Sequence, residues 1–522
     1  MRSQPFSMFA ATAAVLLAGC NQQASPDRQS AASAAAPRQC ADLASLSLPN
    51  TTITLAEPVA AGAFQAPAAG LPPGMPPVDY SGLPAFCRVA GTVAPAPTSE
   101  IRFEVWLPAE NWNGKFLGIG NGGAAGAIFQ FAMAEPLARG YAVANTDTGH
   151  QGDIGDMSFA SSQPEKLTDF NYRAVHEMTV AAKAIVAARY GNAAERSYWN
   201  GCSTGGRQGL KEVQRFPEDY DGVIAGAPAS NTPGLMAFSI LVQQEMTDPN
   251  GALPVAKLGA IKEAAIAACD AQDGVTDRVI GDPLACEFDP GAMQCAAGAA
   301  ATDMCLTADE VTSVRRIYGG VVNSRTGEQV FPGTEPGGEP AWGAYGSAQF
   351  SIGTSHFRHV VANDPNWDPF TFDFDADVAR TAQGASGEGA AMDSDISAFV
   401  GRGGKLLIYH GWTDGLIAPL NTVNYYNSVV ETIGADSADD SVRLFMLPGV
   451  DHCQGGEGAF MVDYLAALEN WVENDEAPWR LPAGKPPGAG SFTRRACAYP
   501  TVPQYSGTGD VTDGANWWCA GP

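Results

Sequence analysis

The sequence predicts an α/β protein with a mostly parallel sheet that is interrupted by a large insertion. Short apolar runs alternate with helical segments in the first half of the chain, an order typical of parallel sheets covered by helices. The alternation stops after residue 229 and returns at residue 405. We therefore expect a core built from residues 40–229 and 396–522, with residues 230–395 as an inserted lid domain.

The core segments contain short strand-like runs separated by helical spacing. Alternating or continuous apolar runs predict strands at 101–107, 115–119, 141–145, 197–200, 222–226, 405–409 and 442–447. Apolar residues at helical spacing predict helices at 170–190, 208–216 and 460–473. We interpret residues 40–100 as an entry segment with Pro-rich loops, and the Pro- and Gly-rich tail from residue 478 as the end of the core.

Composition and charge indicate a large acidic protein. The chain has 522 residues, 45% of them hydrophobic, and a formal net charge of −26. This hydrophobic fraction is sufficient for a large core. A strongly negative surface repels phosphate backbones, so we expect no nucleic-acid partner.

The first 20 residues have the features of a bacterial lipoprotein signal peptide. A basic Arg2 precedes an apolar run, residues 8–17, that is too short to span a bilayer, and small residues precede Cys20, the expected lipidation site. An ordinary cleaved signal peptide is the alternative. Residues 21–39 contain few large apolar side chains and predict a disordered tether. We expect an exported protein that is periplasmic, at the outer membrane as a lipoprotein, or secreted, and that touches a membrane only through Cys20.

The cysteines agree with export. The chain has 11 cysteines, and assigning Cys20 to a lipid leaves an even number. The ten others, which suffice for five disulfides in an oxidising compartment, are Cys40, Cys87, Cys202, Cys269, Cys286, Cys295, Cys305, Cys453, Cys497 and Cys519. Several free buried cysteines are the alternative.

A serine between two glycines follows the predicted strand at 197–200. The motif is Gly201-Cys202-Ser203-Thr204-Gly205, and a helical segment follows it. This order is typical of a nucleophile elbow, in which a sharp turn presents the serine hydroxyl above a parallel sheet. We therefore predict Ser203 as a catalytic nucleophile; a chance Gly-Ser-Gly loop is the alternative.

A base and an acid follow the serine in the order expected for this arrangement. His452 comes just after the strand at 442–447, and Asp414 just after the strand at 405–409. Asp414 would orient the imidazole of His452 and stabilise its charged form. His410 is a rival base at the end of a strand, and Asp451 is a rival acid beside the histidine.

Two cysteines flank the predicted nucleophile and base. Cys202 precedes Ser203 and Cys453 follows His452. A serine and a histidine within hydrogen-bonding distance bring these cysteines close enough for a disulfide. We therefore predict a Cys202–Cys453 bond.

The oxyanion of an ester intermediate needs two backbone amides. One is expected from Thr204, the residue after the nucleophile, and the other from an earlier loop at a strand end. The glycine-rich loop 120–123 is the candidate, because glycine permits close approach of the backbone.

Together these residues resemble the tannase and feruloyl esterase family, which has an α/β-hydrolase fold. The similarity lies in the elbow around Ser203, the segment Asp414–Pro419 (Asp-x-x-Ile-x-Pro) and the His452-Cys453 pair, and it extends from about Cys40 to the C-terminus. The resemblance implies Gly123 as the second oxyanion amide. It also implies the Cys202–Cys453 bond and the further disulfides Cys40–Cys87, Cys269–Cys286, Cys295–Cys305 and Cys497–Cys519.

An acidic loop in the insertion suits a hard cation. Its carboxylates lie near a glycine between residues 270 and 279, although a solvated acidic loop is the simpler interpretation of the residues alone. The resemblance implies a structural Ca²⁺ held by the carboxylates of Asp270, Asp273 and Asp277 and the carbonyls of Val275 and Val279. We expect no organic cofactor.

The resemblance implies hydrolysis of aromatic esters. We expect feruloyl, other hydroxycinnamoyl or galloyl esters as substrates, free or attached to plant polysaccharide or tannin. The family also includes a hydrolase of mono(2-hydroxyethyl) terephthalate, so terephthalate monoesters and related polyester fragments are an alternative. That relative uses a lid arginine, with which Arg358 does not align, and an aromatic residue where this chain has Ile417.

Two questions stay open from the sequence. Phe350, Phe357, Trp367 and Trp342 could line an aromatic pocket or form the core of the lid. A surface-tethered binding protein without catalysis is the alternative from another functional class.

Overall fold

A computed structural model of the chain describes residues 36–66, 78–249, 252–298, 302–348, 350–486, 488 and 490–521. The predicted signal peptide, Cys20 and residues 21–35 of the predicted tether lie outside the described residues. At the end of the tether, the Arg38 amide donates a 3.0 Å hydrogen bond to the carbonyl of Ala188. The last residues of that segment are therefore attached to the core.

The described residues form fifteen strands. They are β1 (Thr51–Val59), β2 (Phe86–Val93), β3 (Ile101–Pro108), β4 (Lys115–Ile119), β5 (Ala142–Thr146), β6 (Arg196–Cys202), β7 (Gly222–Gly226), β8 (Val321–Val322), β9 (Gln329–Phe331), β10 (Lys405–Gly411), β11 (Val442–Leu447), β12 (Arg480–Gly484), β13 (Thr493–Cys497), β14 (Val502–Tyr505) and β15 (Trp517–Ala520).

The α-helices of the described residues connect and cover these strands. They are α1 (Gln130–Ala138), α2 (Pro164–Thr168), α3 (Ala174–Tyr190), α4 (Thr204–Arg215), α5 (Thr232–Thr247), α6 (Val255–Cys269), α7 (Ala308–Gly319), α8 (Trp342–Tyr345), α9 (Ile352–His356), α10 (Ala376–Thr381), α11 (Gly384–Gly387), α12 (Ser397–Gly401), α13 (Pro419–Ile433), α14 (Ala435–Ser441) and α15 (Tyr464–Asn474). Two π-helical turns, Asp169–Arg173 and Phe357–Val361, adjoin α3 and α9.

Nine strands form one sheet in the order β1-β2-β3-β5-β4-β6-β7-β10-β11. The pairs from β1 to β5 are antiparallel, and every pair from β5 to β11 is parallel. The predicted α/β class with a mostly parallel sheet is confirmed. The carboxyl ends of β6, β10 and β11 lie at one edge of the sheet, which is where ligands bind in open α/β folds.

The central strands are apolar because helices cover both faces of the sheet. Neighbouring side chains of β6 point to opposite faces: Trp199 belongs to the apolar cluster that includes α3, α4 and α13, whereas Tyr198 belongs to the cluster that includes α1 and α15. Both side chains are fully buried. The sheet therefore gives the residues at its carboxyl edge a rigid support.

Some elements differ from the sequence expectations. The segment 40–100, interpreted as loops, contributes β1 and β2 to the main sheet, and the tail contributes β12 to β15. β1 is an edge strand without a fully buried residue, so its apolar pattern is weak. The helix expected at 208–216 begins at Thr204, directly after the serine.

The apolar side chains of the segment 230–395 share one buried cluster with residues of the core, such as Phe170. Phe238, Phe331 and Trp342 belong to this cluster, and so does Ile417 from the loop after β10. This contact attaches the insertion to the carboxyl edge of the sheet. Residues from Ala36 onward form one compact unit, and the domain boundaries at 229/230 and 395/396 stay a prediction.

None of the helices in the described part of the chain combines the length and the apolar character that crossing a bilayer requires.

Gly201 allows β6 and α4 to approach each other closely. A Cβ placed on Gly201 would lie 2.5 Å from the carbonyl carbon and oxygen of Gly205, which is backbone and cannot rotate away. A side chain at this position must therefore separate the strand from the helix that follows the serine.

We expect Gly201→Ala to lower the free energy of unfolding by about 1–3 kcal/mol through this overpacking. Gly259, an exposed glycine within α6 with no atom within 4 Å of an added Cβ, provides the control. Gly259→Ala should raise the free energy of unfolding by about 0.5–1 kcal/mol. Urea unfolding of the two variants measures both effects, and equal effects would contradict the proposed clash.

Candidate active site

Ser203 occupies a sharp turn between β6 and α4. Its φ of 64° and ψ of −123° are unusual for a residue with a side chain, and its amide donates a 2.9 Å hydrogen bond to Gly226 of β7. Neighbouring glycines permit this turn, because Gly201 and Gly205 lie in backbone contact. The strand–turn–helix geometry is that of a nucleophile elbow, as the sequence predicted.

Asp414 and His452 are paired beside this turn. Asp414 is fully buried, and its Oδ2 lies 2.6 Å from Nδ1 of His452. Because a carboxylate only accepts hydrogen bonds, Nδ1 carries the proton and Nε2 is left as the basic nitrogen. The other carboxylate oxygen of Asp414 accepts 2.9 Å hydrogen bonds from the amides of Leu416 and Ile417.

The charges of this pair stabilise each other. Burial raises the pKa of Asp414, but the adjacent imidazoles of His452 and His410 and their hydrogen bonds outweigh it and hold that pKa well below its ordinary value. Burial lowers the pKa of His452, but the charge and hydrogen bond of Asp414, together with the charge of Asp451, raise it above its ordinary value. The carboxylate is therefore ionised and favours a proton on the imidazole.

Ser203 and His452 line the same cleft. Among the described residues their side chains form no hydrogen bond with each other, although His452 is held by Asp414. Such bonds are often long in free active sites and tighten when substrate binds. The structure thus places the serine and the imidazole in one site and in the predicted chain order.

A disulfide joins the neighbours of these two residues. Cys202 and Cys453 are bonded with a Cα–Cα distance of 6.0 Å, across 251 residues of sequence. The structure also contains Cys40–Cys87, Cys269–Cys286, Cys295–Cys305 and Cys497–Cys519. These are the pairings that the resemblance implies.

The rival base and acid occupy other positions. His410 has a fully buried side chain, its Nδ1 facing Thr422 and its Nε2 facing Asp414, and it is not among the cleft-lining residues. Asp451 accepts a 2.9 Å hydrogen bond from the hydroxyl of Thr413. The geometry therefore favours Asp414 and His452 over both rivals.

The loop after β4 lies against the start of α4. Asn121 fixes it, since its side-chain amide donates to Thr146 and its carbonyl accepts from Gly205. Gly123 has a φ of 53°, and a Cβ there would lie 2.3 Å from the carbonyl oxygen of Ile154, so only glycine fits. The hydroxyl of Thr204 donates to the Gly123 carbonyl at 2.6 Å.

The backbone amides of Gly123 and Thr204 donate no hydrogen bond to any described residue. Both residues border the cleft or the cavity next to it. Unpaired amides at the start of a helix attract negative charge. The structure therefore leaves two donors near Ser203 free for an oxyanion.

The cleft has a volume of about 650 Å³ and mostly apolar walls. Phe129, Phe131 and Ile154 come from the core, and Ala344 and Phe350 come from the insertion. Of the four aromatic residues noted in the sequence, Phe350 lines this cleft. Trp342 and Phe357 are buried in the core of the insertion, where Trp367 stacks on Phe357.

Some cleft residues were not anticipated from the sequence. Phe129, Phe131, Tyr409, Leu416 and Gln454 line the cleft together with Ser203. A signal existed for the phenylalanines, because they follow the glycine-rich loop that was already assigned to the site. Arg358 donates to the carbonyl of Trp367 at 2.9 Å, and Ile417 is buried beside Asp414, so neither lines the cleft.

The acidic loop of the insertion has the donor chemistry for a hard cation. Asp270, Asp273 and Asp277 each use one carboxylate oxygen to accept a backbone hydrogen bond within the loop. The carbonyls of Val275 and Val279 accept no hydrogen bond from any described residue. Oxygen donors are therefore available from all five predicted ligands.

The charge of this loop is only partly compensated. Burial raises the pKa of Asp273 to about 6, and the charges of Asp277 and Asp270 contribute to the increase. Arg494 from the tail forms an ion pair with Asp277. The three carboxylates do not converge to within 4.8 Å in the described residues, so a cation would have to draw them together. The donor set fits Ca²⁺, with Arg494 as its competitor for Asp277.

Comparisons with known proteins point in the same direction. The family model described as tannase and feruloyl esterase matches residues 87–520. An uncharacterized esterase of Xanthomonas campestris is 38% identical, covering 93% of this chain and 92% of its own length. A probable feruloyl esterase B-2 of Aspergillus terreus is 36% identical, covering 83% of this chain and 86% of its own.

Solved structures share the fold. The crystal structure of feruloyl esterase B from Aspergillus oryzae superimposes with a TM-score of 0.85 at 32% identity, covering 92% of this chain and 99% of that one. Tannin acyl hydrolase from Aspergillus niger has a TM-score of 0.75 at 24% identity, which supports the fold alone. From the family match and these relatives we conclude that the chain belongs to the tannase and feruloyl esterase family and is a carboxylic ester hydrolase.

Proposed function

We propose that the protein is an exported serine esterase that hydrolyses phenolic acid esters through Ser203, His452 and Asp414. The observation that carries this proposal is the Asp414–His452 pair, held by the Cys202–Cys453 disulfide beside the strained turn of Ser203. Membership in an esterase family argues against the alternative of a binding protein without catalysis.

The reaction is acyl transfer to water. Nε2 of His452 takes the proton of the Ser203 hydroxyl while the Ser203 oxygen attacks the ester carbonyl. The amides of Gly123 and Thr204 bind the resulting oxyanion. His452 then gives the proton to the leaving alcohol. In the second half of the reaction a water molecule gives a proton to His452 as it attacks the acyl carbonyl, and His452 returns that proton to the Ser203 oxygen as the acid leaves.

Asp414 has two roles in this cycle. It keeps the Nδ1 proton in place, so that Nε2 faces the serine, and its charge stabilises the imidazolium formed during attack. The two amides from the loop after β10 hold the carboxylate in position. A neutral side chain at this position would lose both effects.

The triad assignment makes a prediction about pH. Protonated His452 cannot accept the serine proton, so kcat/KM should rise with pH as His452 deprotonates, with a midpoint above the ordinary histidine value of about 6.5. Asp414→Asn should lower that midpoint, because the negative charge is lost, and reduce kcat on the order of 10³–10⁴-fold.

Ser203→Ala should abolish turnover and labelling by a fluorophosphonate while the thermal unfolding temperature stays near that of the wild type.

Asp451→Asn is the matched control. Asp451 also adds negative charge near His452 but hydrogen-bonds to Thr413, so this variant should lower the midpoint slightly and keep kcat within severalfold. Equal losses in the two variants, or activity in Ser203→Ala, would refute the assignment.

The acyl group is proposed from the cleft. Phe129, Phe131 and Phe350 offer flat apolar surface that suits an aromatic ring, and relatives named feruloyl esterase are 36% identical. Hydroxycinnamoyl or galloyl esters fit this chemistry, free or attached to plant polysaccharide or tannin. No lysine or arginine among the described residues lines the cleft, so a free carboxylate of a terephthalate monoester has no charged partner.

We expect kcat/KM for methyl ferulate or methyl gallate to exceed that for mono(2-hydroxyethyl) terephthalate at least about tenfold. This factor corresponds to about 1.4 kcal/mol, lost because the terephthalate carboxylate enters the cleft without a charged partner. Phe131→Ala and Phe350→Ala should raise KM for the aromatic esters more than for a short aliphatic ester. Phe370→Ala is the control, since Phe370 is exposed and lies outside the cleft. Preference for the terephthalate ester would overturn the proposed substrate class.

Export is proposed from the N-terminus and the disulfides. The described residues contain five disulfides, which form in oxidising compartments. The signal peptide and a lipid on Cys20 are proposed from the sequence alone. The mass of the mature N-terminal peptide distinguishes lipidation from plain cleavage.

A structural Ca²⁺ is proposed in the acidic loop of the insertion. Asp270, Asp273 and Asp277 with the carbonyls of Val275 and Val279 would hold it, and it would stabilise the loop without taking part in the reaction. An ion here would also offset the burial and the neighbouring negative charges that together raise the pKa of Asp273.

Chelation should therefore lower the thermal unfolding temperature. Ca²⁺ at 100 times its dissociation constant stabilises a fold by about 2.7 kcal/mol, and this amount should be lost with EDTA and restored with Ca²⁺. Asp273→Asn should remove the response, whereas Asp303→Asn, an exposed carboxylate of the same insertion, should keep it. If Ca²⁺ and EDTA leave the unfolding temperature of the wild type unchanged, the proposed site is contradicted. Below the unfolding temperature, kcat should be the same with and without Ca²⁺.

A further inference from the structure

A second group of acidic and imidazole side chains lies away from the serine. His176 of α3, Glu212 of α4 and Asp219 of the following loop each offer one ligand atom, and these atoms lie within 4.8 Å of one another. Nδ1 of His176 is 2.6 Å from Oδ2 of Asp219. Eight residues separate Glu212 from Thr204, which places it about 12 Å along α4 from the elbow.

Glu212 is the unusual member of this group. It is 1% exposed, and neither of its carboxylate oxygens accepts a hydrogen bond from a donor group of the described residues; the adjacent group is the carboxylate of Asp219, which pairs with Glu212 only when one of the two is protonated. Buried carboxylates are normally paired or bound to a cation, since an isolated buried charge is unstable. Burial and the adjacent Asp219 raise the pKa of Glu212 well above its ordinary value. The position therefore needs either a proton or a cation.

The surroundings fix the ligands but do not neutralise them. The ring of Phe216 stacks on His176 with centroids 3.9 Å apart, which sets the orientation of the imidazole. Lys183 is the nearby cation, and its ammonium donates to the backbone carbonyl of Asp219. Burial lowers the pKa of Lys183, which weakens it as a counter-charge.

The cluster is accessible from one side. The side chain of His176 is 30% exposed and that of Asp219 is 11% exposed, whereas Glu212 forms the floor. An ion could thus enter over His176 and keep a water ligand on the open side. One imidazole and two carboxylates are ligands that Zn²⁺ holds at about 2.0–2.2 Å.

We propose that His176, Glu212 and Asp219 form a binding site for a divalent transition-metal ion, with Zn²⁺ as the best-fitting ion. The ion would replace the hydrogen bond between His176 and Asp219 and bind the unpaired Glu212 carboxylate. It would connect α3, α4 and the loop after α4 through their side chains His176, Glu212 and Asp219. Its role is stabilisation of that layer rather than ester hydrolysis.

The experiment uses the full chain, stripped with EDTA and then saturated with Ca²⁺ so that the acidic loop is filled. Titration with Zn²⁺ by calorimetry should show one ion bound with micromolar or tighter affinity, and Co²⁺ should give a visible absorption band of an imidazole-ligated centre. Zn²⁺ should also raise the thermal unfolding temperature, because it binds the folded state.

Glu212→Gln and His176→Gln should each weaken Zn²⁺ binding at least tenfold and remove the thermal shift. His359→Gln is the matched control: His359 is a partly exposed histidine that contacts Ser161, and its loss should leave binding unchanged. Asp273→Asn should also leave it unchanged, which separates this site from the acidic loop. Ester hydrolysis confirms that each variant is folded.

Two outcomes would overturn the site. One is the absence of saturable binding of Zn²⁺ and Co²⁺ to the stripped wild type. The other is binding that both Glu212→Gln and His176→Gln retain. In either case a proton shared between Glu212 and Asp219 would account for the buried carboxylate, and Glu212→Gln would unfold at or above the wild-type temperature without metal.

Discussion

The disulfide between Cys202 and Cys453 connects the turn of Ser203 to the loop of His452 across a sequence separation of 251. In the chain-entropy model, closing a loop of this length in the unfolded state contributes about 5 kcal/mol of stability. The bond joins the immediate chain neighbours of Ser203 and His452, so it limits how far these two residues can separate. A large insertion between β7 and β10 therefore does not separate Ser203 from His452. The remaining element, the loop after β10 that carries Asp414, is held in place by the buried hydrogen bonds of this carboxylate.

The parts of this arrangement with a local signature could be predicted from the sequence. The Gly-x-Ser-x-Gly turn, the strand ends before Asp414 and His452, and the cysteines beside the serine and histidine are all short-range patterns. The structure brings them together: Ser203 and His452 line one cleft, and Asp414 is buried behind His452. β1 escaped prediction because an edge strand has no buried face to impose alternation. The start of α4 was placed too late, since Thr204 and Gly205 are weak helix formers that tertiary packing against Asn121 holds in place.

Contacts made by distant segments could not be predicted in this way. Phe350 lines the cleft whereas Phe357, seven residues later, is buried in the insertion core; both are aromatic residues of one stretch, and only packing separates them. The His176–Glu212–Asp219 cluster has no motif either, because its members come from two helices and a loop. Unpaired buried carboxylates become visible only when every potential partner has a position.

The walls of the cleft come from two parts of the chain, the sheet and the insertion. Ser203, Asp414 and His452 follow strands of one rigid sheet, and the free amides of Gly123 and Thr204 belong to the same framework. By contrast, Ala344 and Phe350 reach the cleft from the insertion. Substitutions in the insertion can therefore change the walls of the cleft without moving Ser203 or His452, provided that Ile417 stays in contact with both Asp414 and the apolar cluster. Because Ile417 packs into that cluster and its amide donates a hydrogen bond to Asp414, this residue couples the position of the Asp414 carboxylate to the packing of the insertion.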